Sequence, residues 1–168
     1  HALQPYFSRA VASMLRKRRR TLRGRGAVLF VDIAGFTALT RAATAQGVAG
    51  AEAVSVRLNR FFGALIPVIH AHGGDVLDFG GDAIHALFPI RPSVKRCALA
   101  VLDDSRIDPE LSIRIGVGAG AYRIDIIGYE VQRRALFSGP AVRRAAHAEK
   151  RAPMRGMLRA LKSIAARW

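Results

Sequence analysis

Short apolar runs and longer apolar stripes alternate along the chain, and their spacing predicts its elements. "AVLFVDI" (27–33) is a run rich in β-branched residues between Gly26 and Gly35, the pattern of a buried strand. "FTALTRAATAQG" reads as a helix stopped by Gly47. Across 50–71, Val54, Leu58, Phe61, Phe62, Leu65, Ile66 and Ile69 recur at helical spacing, and Pro67 is expected to kink or shorten that helix near its end. "GGDVLDFGGDAIHALF" (73–88) predicts two strands, at 74–79 and 82–88, around a tight glycine turn. A helix over 93–104 follows, then two alternating segments, "LSIRIGVGAGA" and "YRIDIIGYE", and a last helix over 140–152. The order β-α-α-β-β-α-β is a ferredoxin-like, palm-type α+β sandwich with a hairpin and a helix added.

That topology places the first and third strands side by side and antiparallel at the sheet centre. Asp32, at the end of the first, then meets Asp82, at the start of the third. Two carboxylates with no soft ligand nearby suit a hard, oxygen-seeking ion such as Mg²⁺ or Mn²⁺. The turn after Asp32, from Ile33 through Ala34, Gly35 and Phe36 to Thr37, enters a helix N-terminus, where free N–H groups favour a phosphate. Carboxylates, ions and a phosphate-cradling turn together imply phosphoryl chemistry on a nucleotide, in which paired ions hold the attacking and leaving oxygens. The blander alternative makes Asp32 and Asp82 unrelated turn residues and Thr37 a helix-start residue.

Composition narrows the class. A chain of 168 residues is long enough for one domain with a sizeable core. Although 51% of residues are hydrophobic, no run approaches the length of a membrane span. The absence of an initiating Met suggests a fragment. Cys97 is the only cysteine, which excludes an internal disulfide and suits a reducing compartment, so a cytoplasmic location is expected. The net charge of +15 lies at the ends: residues 1–25 hold eight Lys or Arg and no acid, 143–168 hold eight against Glu149, and 26–142 hold eleven of each sign. Specific nucleic-acid binding would need interleaved aromatics or a recognition motif, and neither is present. The chain thus divides into a basic segment (1–26), a domain (27–152) and a basic amphipathic tail (153–168). Phe7, Val11, Met14 and Leu15 form one apolar face in the first; Met154, Met157, Leu158, Leu161, Ile164 and Trp168 form another in the last. Such faces dock on their own domain, on a partner, or on an anionic membrane surface. "GVGAG" (116–120) lacks the spacing of a dinucleotide loop. His70, His72, His85 and His147 show no ligand spacing.

"LFVDIAGFTALT" followed by "GGDVLDFGGDAIHALF" closely resembles the class III nucleotide cyclase catalytic domain, above all the soluble, bicarbonate-responsive adenylyl cyclases and their bacterial relatives. "LSIRIGVGAG" and "FSGPAVRRAAHA" match more loosely. The resemblance covers residues 27–152 and implies conversion of ATP, with GTP not excluded, to the 3′,5′-cyclic nucleotide and pyrophosphate. It implies two Mg²⁺ or Mn²⁺ ions on Asp32, Asp82 and the Ile33 carbonyl, with the 33–37 backbone on the triphosphate. It further implies sites at a head-to-tail interface with a complementary cyclase domain, in the same or another chain. Asp75 reads as structural. "FGGDA" is shared with diguanylate cyclases, but "DIAGFT" lacks the acidic and Lys/Asn positions their first motif requires.

Four positions depart from the family pattern. Asp78 stands for the base-reading lysine, Leu136 for the base-reading Asp or Thr, Arg143 for the ribose-orienting Asn and His147 for the transition-state Arg. Both metal aspartates remain, so the pattern resembles the metal-bearing half of a two-domain enzyme. Losing one preorganised transition-state donor costs about 10²–10³ in rate, and losing two about 10⁴–10⁶. A self-pair of this chain is therefore expected to be nearly inactive. A non-catalytic pseudo-cyclase that regulates or dimerises is the other reading.

Overall fold

The computed structural model describes residues 8–89, 91–104, 111–128 and 133–153. Among these, five strands form one antiparallel sheet in the order β2-β3-β1-β4-β5. They are β1 (Thr21–Ile33), β2 (Asp75–Gly80), β3 (Ala83–Phe88), β4 (Ile113–Ile127) and β5 (Arg134–Ser138). Helices α2 (Phe36–Thr44), α3 (Val48–Ala71) and α4 (Arg91–Asp103) cover one face; α1 (Arg9–Arg16) and α5 (Pro140–Arg151) cover the other. This is the α+β sandwich the pattern predicts, with β1 between β3 and β4 at its centre.

The apolar run of β1 is continuous because both faces there are covered. Ala27, Leu29, Val31 and Ile33 pack with Phe61, Leu65 and Ile69 of α3, and Val28 faces Met14 of α1 and Ala141 and Ala145 of α5. Burying each large side chain of this set stabilises the fold by about 1.5–3 kcal/mol. α3 continues through Pro67 to Ala71, so the proline does not shorten it.

Three expectations change. β1 begins at Thr21, inside the segment assigned to a basic leader, and pairs with β4 from Thr21↔Asp125 to Ile33↔Ile113. Residues 21–25 carry no apolar run because only one face of that half is covered: Leu22 points inward while Thr21, Arg23 and Arg25 are exposed. "LSIRIGVGAGA" and "YRIDIIGYE" are not two strands but, over Ile113–Ile127, one of 15 residues. Its glycines do not end it; they let α5 lie against it. A Cβ on Gly116 would run into the Ala145 carbonyl oxygen, and one on Gly118 into that of Ala141. The hairpin is closed instead by "RALFS", a five-residue strand too short to stand out.

Asp75 is structural, as expected, and its task is specific. Buried at the start of β2, its carboxylate accepts from the N–H groups of Arg9 at 2.7 Å and Ala10 at 2.8 Å and from Ser8 Oγ at 3.0 Å. It therefore caps α1 across the sheet edge. Met14, 2% exposed, and Val11 pack that helix against the sheet, so this part of the first apolar face docks on its own domain while Leu15 stays 41% exposed; Phe7 and the tail face after 153 lie outside the described residues.

Candidate active site

Asp32 is the penultimate residue of β1, and the pleat turns it away from Val31 and Ile33, toward the α5 side. Directly opposite it in the register is Arg114 of β4. Arg114 Nη2 donates to Asp32 Oδ2 at 2.8 Å, and its Nε lies 3.0 Å from Glu149 Oε1 on α5. Asp82 occupies the β2–β3 turn, made possible by Gly81 at φ 72°. Burial pushes the Asp82 carboxyl above its usual range, and the Asp32 carboxylate beside it pushes further, against the pull of Arg114. Glu149 is raised in the same way, by burial first and Asp32 next, again opposed by Arg114. Arg114 is held firmly charged, chiefly by its bond to Asp32. Three carboxylates thus gather around one guanidinium.

A site that already draws a cation onto Asp32 fits a divalent ion. Among the described residues no three His, Cys, Asp or Glu side chains are grouped to hold a metal on their own. The pair Asp32 and Asp82, with the Ile33 carbonyl, offers only oxygen donors, and Mg²⁺ is commonly bound by one or two carboxylates completed by substrate phosphates. Ile33 is 2% exposed, so only its backbone can serve.

The turn expected to cradle a phosphate has the geometry of a helix N-terminus, with one change. Gly35, at φ 79°, stands at the N-cap of α2 without a side-chain cap, which leaves the first-turn amides around Phe36 and Thr37 without helical partners. The Ala34 N–H donates to the Ser112 carbonyl at 2.7 Å, so the cradle starts at Gly35. Thr37 is exposed at the start of the helix.

The same fold occurs in known cyclases. A bacterial light-regulated adenylyl cyclase superposes with a TM-score of 0.67 at 23% identity, over 89% of this chain and 46% of that one. The adenylyl cyclase CyaB from P. aeruginosa gives 0.65 at 20% identity over 86% of this chain and 83% of that one. No family model matches the chain. In sequence, rabbit (Oryctolagus cuniculus) adenylate cyclase type 10 is 33% identical over 132 residues, 70% of this chain. The human protein is 32% identical over the same length. The chain belongs to the class III nucleotide cyclase family. It spans 8% of the length of these curated relatives.

Within this cyclase domain the four altered positions do not form one cluster. Arg143 and His147 are exposed, one turn apart on α5. Asp78 is exposed on β2 and pairs in register with His85. Leu136, 53% exposed, alternates with Ala135 and Phe137 and so points to the sheet face opposite α5. His85 stacks on Phe30 with centroids 3.9 Å apart, and burial keeps its imidazole below the usual range.

Arg114 and Glu149 escaped the sequence reading. Their signals were faint: Arg114 takes the polar alternate between Ile113 and Ile115, where a charge reads as an ordinary outward residue, and Glu149 is the lone acid of a basic stretch. Neither signal states a partner, because the contacts run between β1, β4 and α5.

Proposed function

We propose that this domain is the metal-bearing half of an adenylyl cyclase, converting ATP to 3′,5′-cyclic AMP and pyrophosphate at an interface with a complementary cyclase domain. The observation that carries the reading is the convergence of Asp32 and Asp82 beside the α2 N-terminus, while positions 78, 136, 143 and 147 hold none of the family's base-reading or transition-state groups. Two Mg²⁺ or Mn²⁺ ions, when bound, supply charge neutralisation and activate the attacking oxygen. Asp32, Asp82 and the Ile33 carbonyl hold them. The amides from Gly35 to Thr37 orient the triphosphate at the helix N-terminus. Arg114 adds positive charge on the same side of the sheet. Base reading and transition-state stabilisation come from the partner, which is why ATP or GTP preference is set there and not here.

Bicarbonate response is not expected, since Asp78 and His147 stand where the resemblance puts the anion's Lys and Arg. No helix among the described residues is long and apolar enough to cross a membrane, and the single buried cysteine fits a reducing cytoplasm. Exposed cations in α1 and the turn after it, Arg16, Lys17, Arg18 and Arg19, leave peripheral contact with an anionic membrane open to this domain.

The test mixes this domain with a cyclase half that lacks its own metal aspartates and measures cyclic nucleotide. Turnover is expected only in the mixture, and it should vanish with Asp32→Asn. Robust turnover by this chain alone would refute the division of labour. Silence with every well-folded complementary half, together with metal-independent nucleotide binding, would favour the pseudo-cyclase, the reading that the four altered positions also suit.

A further inference from the structure

Arg114 touches both acids with different edges of one guanidinium. Its Nη2 makes a well-formed bond to Asp32 at 2.8 Å. On the other edge, Nε lies 3.0 Å from Glu149 Oε1, yet both atoms are buried and their alignment is too poor to satisfy either as a hydrogen bond. A buried donor and acceptor left unsatisfied at contact distance form an unfinished bond. A small rotation of the guanidinium toward α5 would complete it and would also release Asp32.

Glu149 is fixed for this purpose. It sits on the buried side of α5 with Ala141 and Ala145, and α5 is seated on β4 through Gly116, where an added Cβ would meet the Ala145 carbonyl, the Glu149 N–H and the Glu149 side chain. The spacing of the α5 and β4 backbones is thus set by close packing, which holds the Glu149 backbone beside Arg114. The Glu149 side chain is 12% exposed against 33% for Arg114, so the guanidinium has the more open surroundings in which to turn.

We propose that Arg114 is a place-holder on Asp32 and that Glu149 is a positioning residue, the second seat to which Arg114 moves when a divalent cation takes the Asp32 carboxylate. The proposal rests on the metal-site reading above. In the ion-free state the guanidinium neutralises Asp32 and holds the three carboxylates together. In the loaded state Glu149 keeps Arg114 buried and paired, so the cation's arrival does not leave an uncompensated charge against α5. Glu149 acts chiefly by holding Arg114, although its own carboxylate also faces Asp32.

The experiment is titration of the whole chain with Mn²⁺ alone, without nucleotide, by calorimetry, in a double-mutant cycle. Arg114→Gln removes the competitor and should tighten Mn²⁺ binding. Glu149→Gln removes the second seat and should weaken it, by about 10-fold on the scale of outer-partner substitutions at metal sites. The double variant should differ from Arg114→Gln by much less than Glu149→Gln differs from the unaltered chain, because without Arg114 only the direct influence of Glu149 on Asp32 is left. Arg114→Lys, which keeps the charge but has no second edge for Glu149, should bind as poorly as Glu149→Gln. Thermal unfolding of each variant without metal identifies one that fails to fold; in that case the Lys variant and Glu149→Asp complete the cycle. If Glu149→Gln weakens binding equally with and without Arg114, Glu149 acts on the ion directly and the positioning role is wrong. If Arg114→Gln fails to tighten binding, Arg114 is no place-holder. Mn²⁺ binding unaffected by Asp32→Asn would instead remove the metal-site reading and the proposal with it, so the two failures are told apart.

Discussion

The two ends of β1 use the same chemistry to different effect. At the Asp32 end, one arginine serves three acids, the groups lie largely covered, and burial, with the Asp32 charge behind it, raises both Asp82 and Glu149. At the Thr21 end, Arg23, Arg25, Arg123 and Arg134 line an open stretch of sheet, with Arg23 directly opposite Arg123 and Asp125 as the acid among them. The Arg123–Asp125 contact is short, 2.6 Å, but the arginine is 44% exposed, and water and salt screen an exposed pair so that it adds little to stability. The lesson is that burial and convergence, not the number of charges, decide which group does chemistry. The open end adds exposed arginines to a chain whose excess of positive charge lies toward its two termini; the covered end holds the candidate site.

Substitutions can break that comparison, beginning at the covered end. Asp32→Asn or Asp82→Asn should lower metal-dependent affinity for an ATP analogue by more than about 100-fold, since outer partners of metal ligands alone are worth 10–100-fold; calorimetry reads this directly. Gly118→Ala should be the most damaging change away from the carboxylates. Its Cβ meets the Ala141 carbonyl and the Ala145 amide, so α5 must lift, at a cost of about 3 kcal/mol in denaturant titration. Asp75→Ala strands the cap of α1 and should lower stability by about 1–3 kcal/mol in the same assay.

A smaller effect separates the two ends by pH. Asp82 has a folded pKa raised above 3.8, so the folded chain binds that proton more tightly than the unfolded chain does. The stability that Asp82 contributes should therefore be lost as pH rises from 3.8 through the raised value; Asp82→Asn lacks that contribution and keeps the like one from Glu149. Plotting the difference between the two unfolding free energies against pH isolates this group; a flat difference would mean that burial beside Asp32 does not raise Asp82. Smallest of all, the exposed pair of changes Arg23→Glu and Arg134→Glu should move stability by no more than about 0.5 kcal/mol. They should nonetheless flatten the salt dependence of any non-specific polyanion binding. Cutting away residues 1–25 is not a clean test of that binding, because it removes α1 and the first five residues of β1.

Much of this was legible along the chain. The run 27–33, the helical stripe of 50–71 and the glycine turn at 80–81 each carry a period or a turn residue that local chemistry enforces, and with the order of elements they place Asp32 against Asp82. What stayed hidden depends on the far side of the sheet. Residues 21–25 do not read as a strand because only one face is covered there. The glycines of β4 read as breaks because the helix that needs them comes twenty residues later. Arg114 and Glu149 gain their meaning from each other, and no spacing in a single sequence announces a pair joined only by packing.

The full-length pairing of β1 with β4 sets a timetable for the site. Asp32 and Arg114 are separated by 82 positions, and the pairing that unites them links the first strand of the chain to the fourth. Contacts of such long range must overcome loop-closure entropy before they contribute anything, which makes their formation slow. On a ribosome, β1 would gain α3 over one face early, while its other face would wait for most of its cover until β4 and then α5 had been synthesised. The carboxylate cluster is therefore among the last features to exist, and slow steps in refolding should coincide with its appearance, whereas the local β2–β3 hairpin that carries Asp82 can form early and alone.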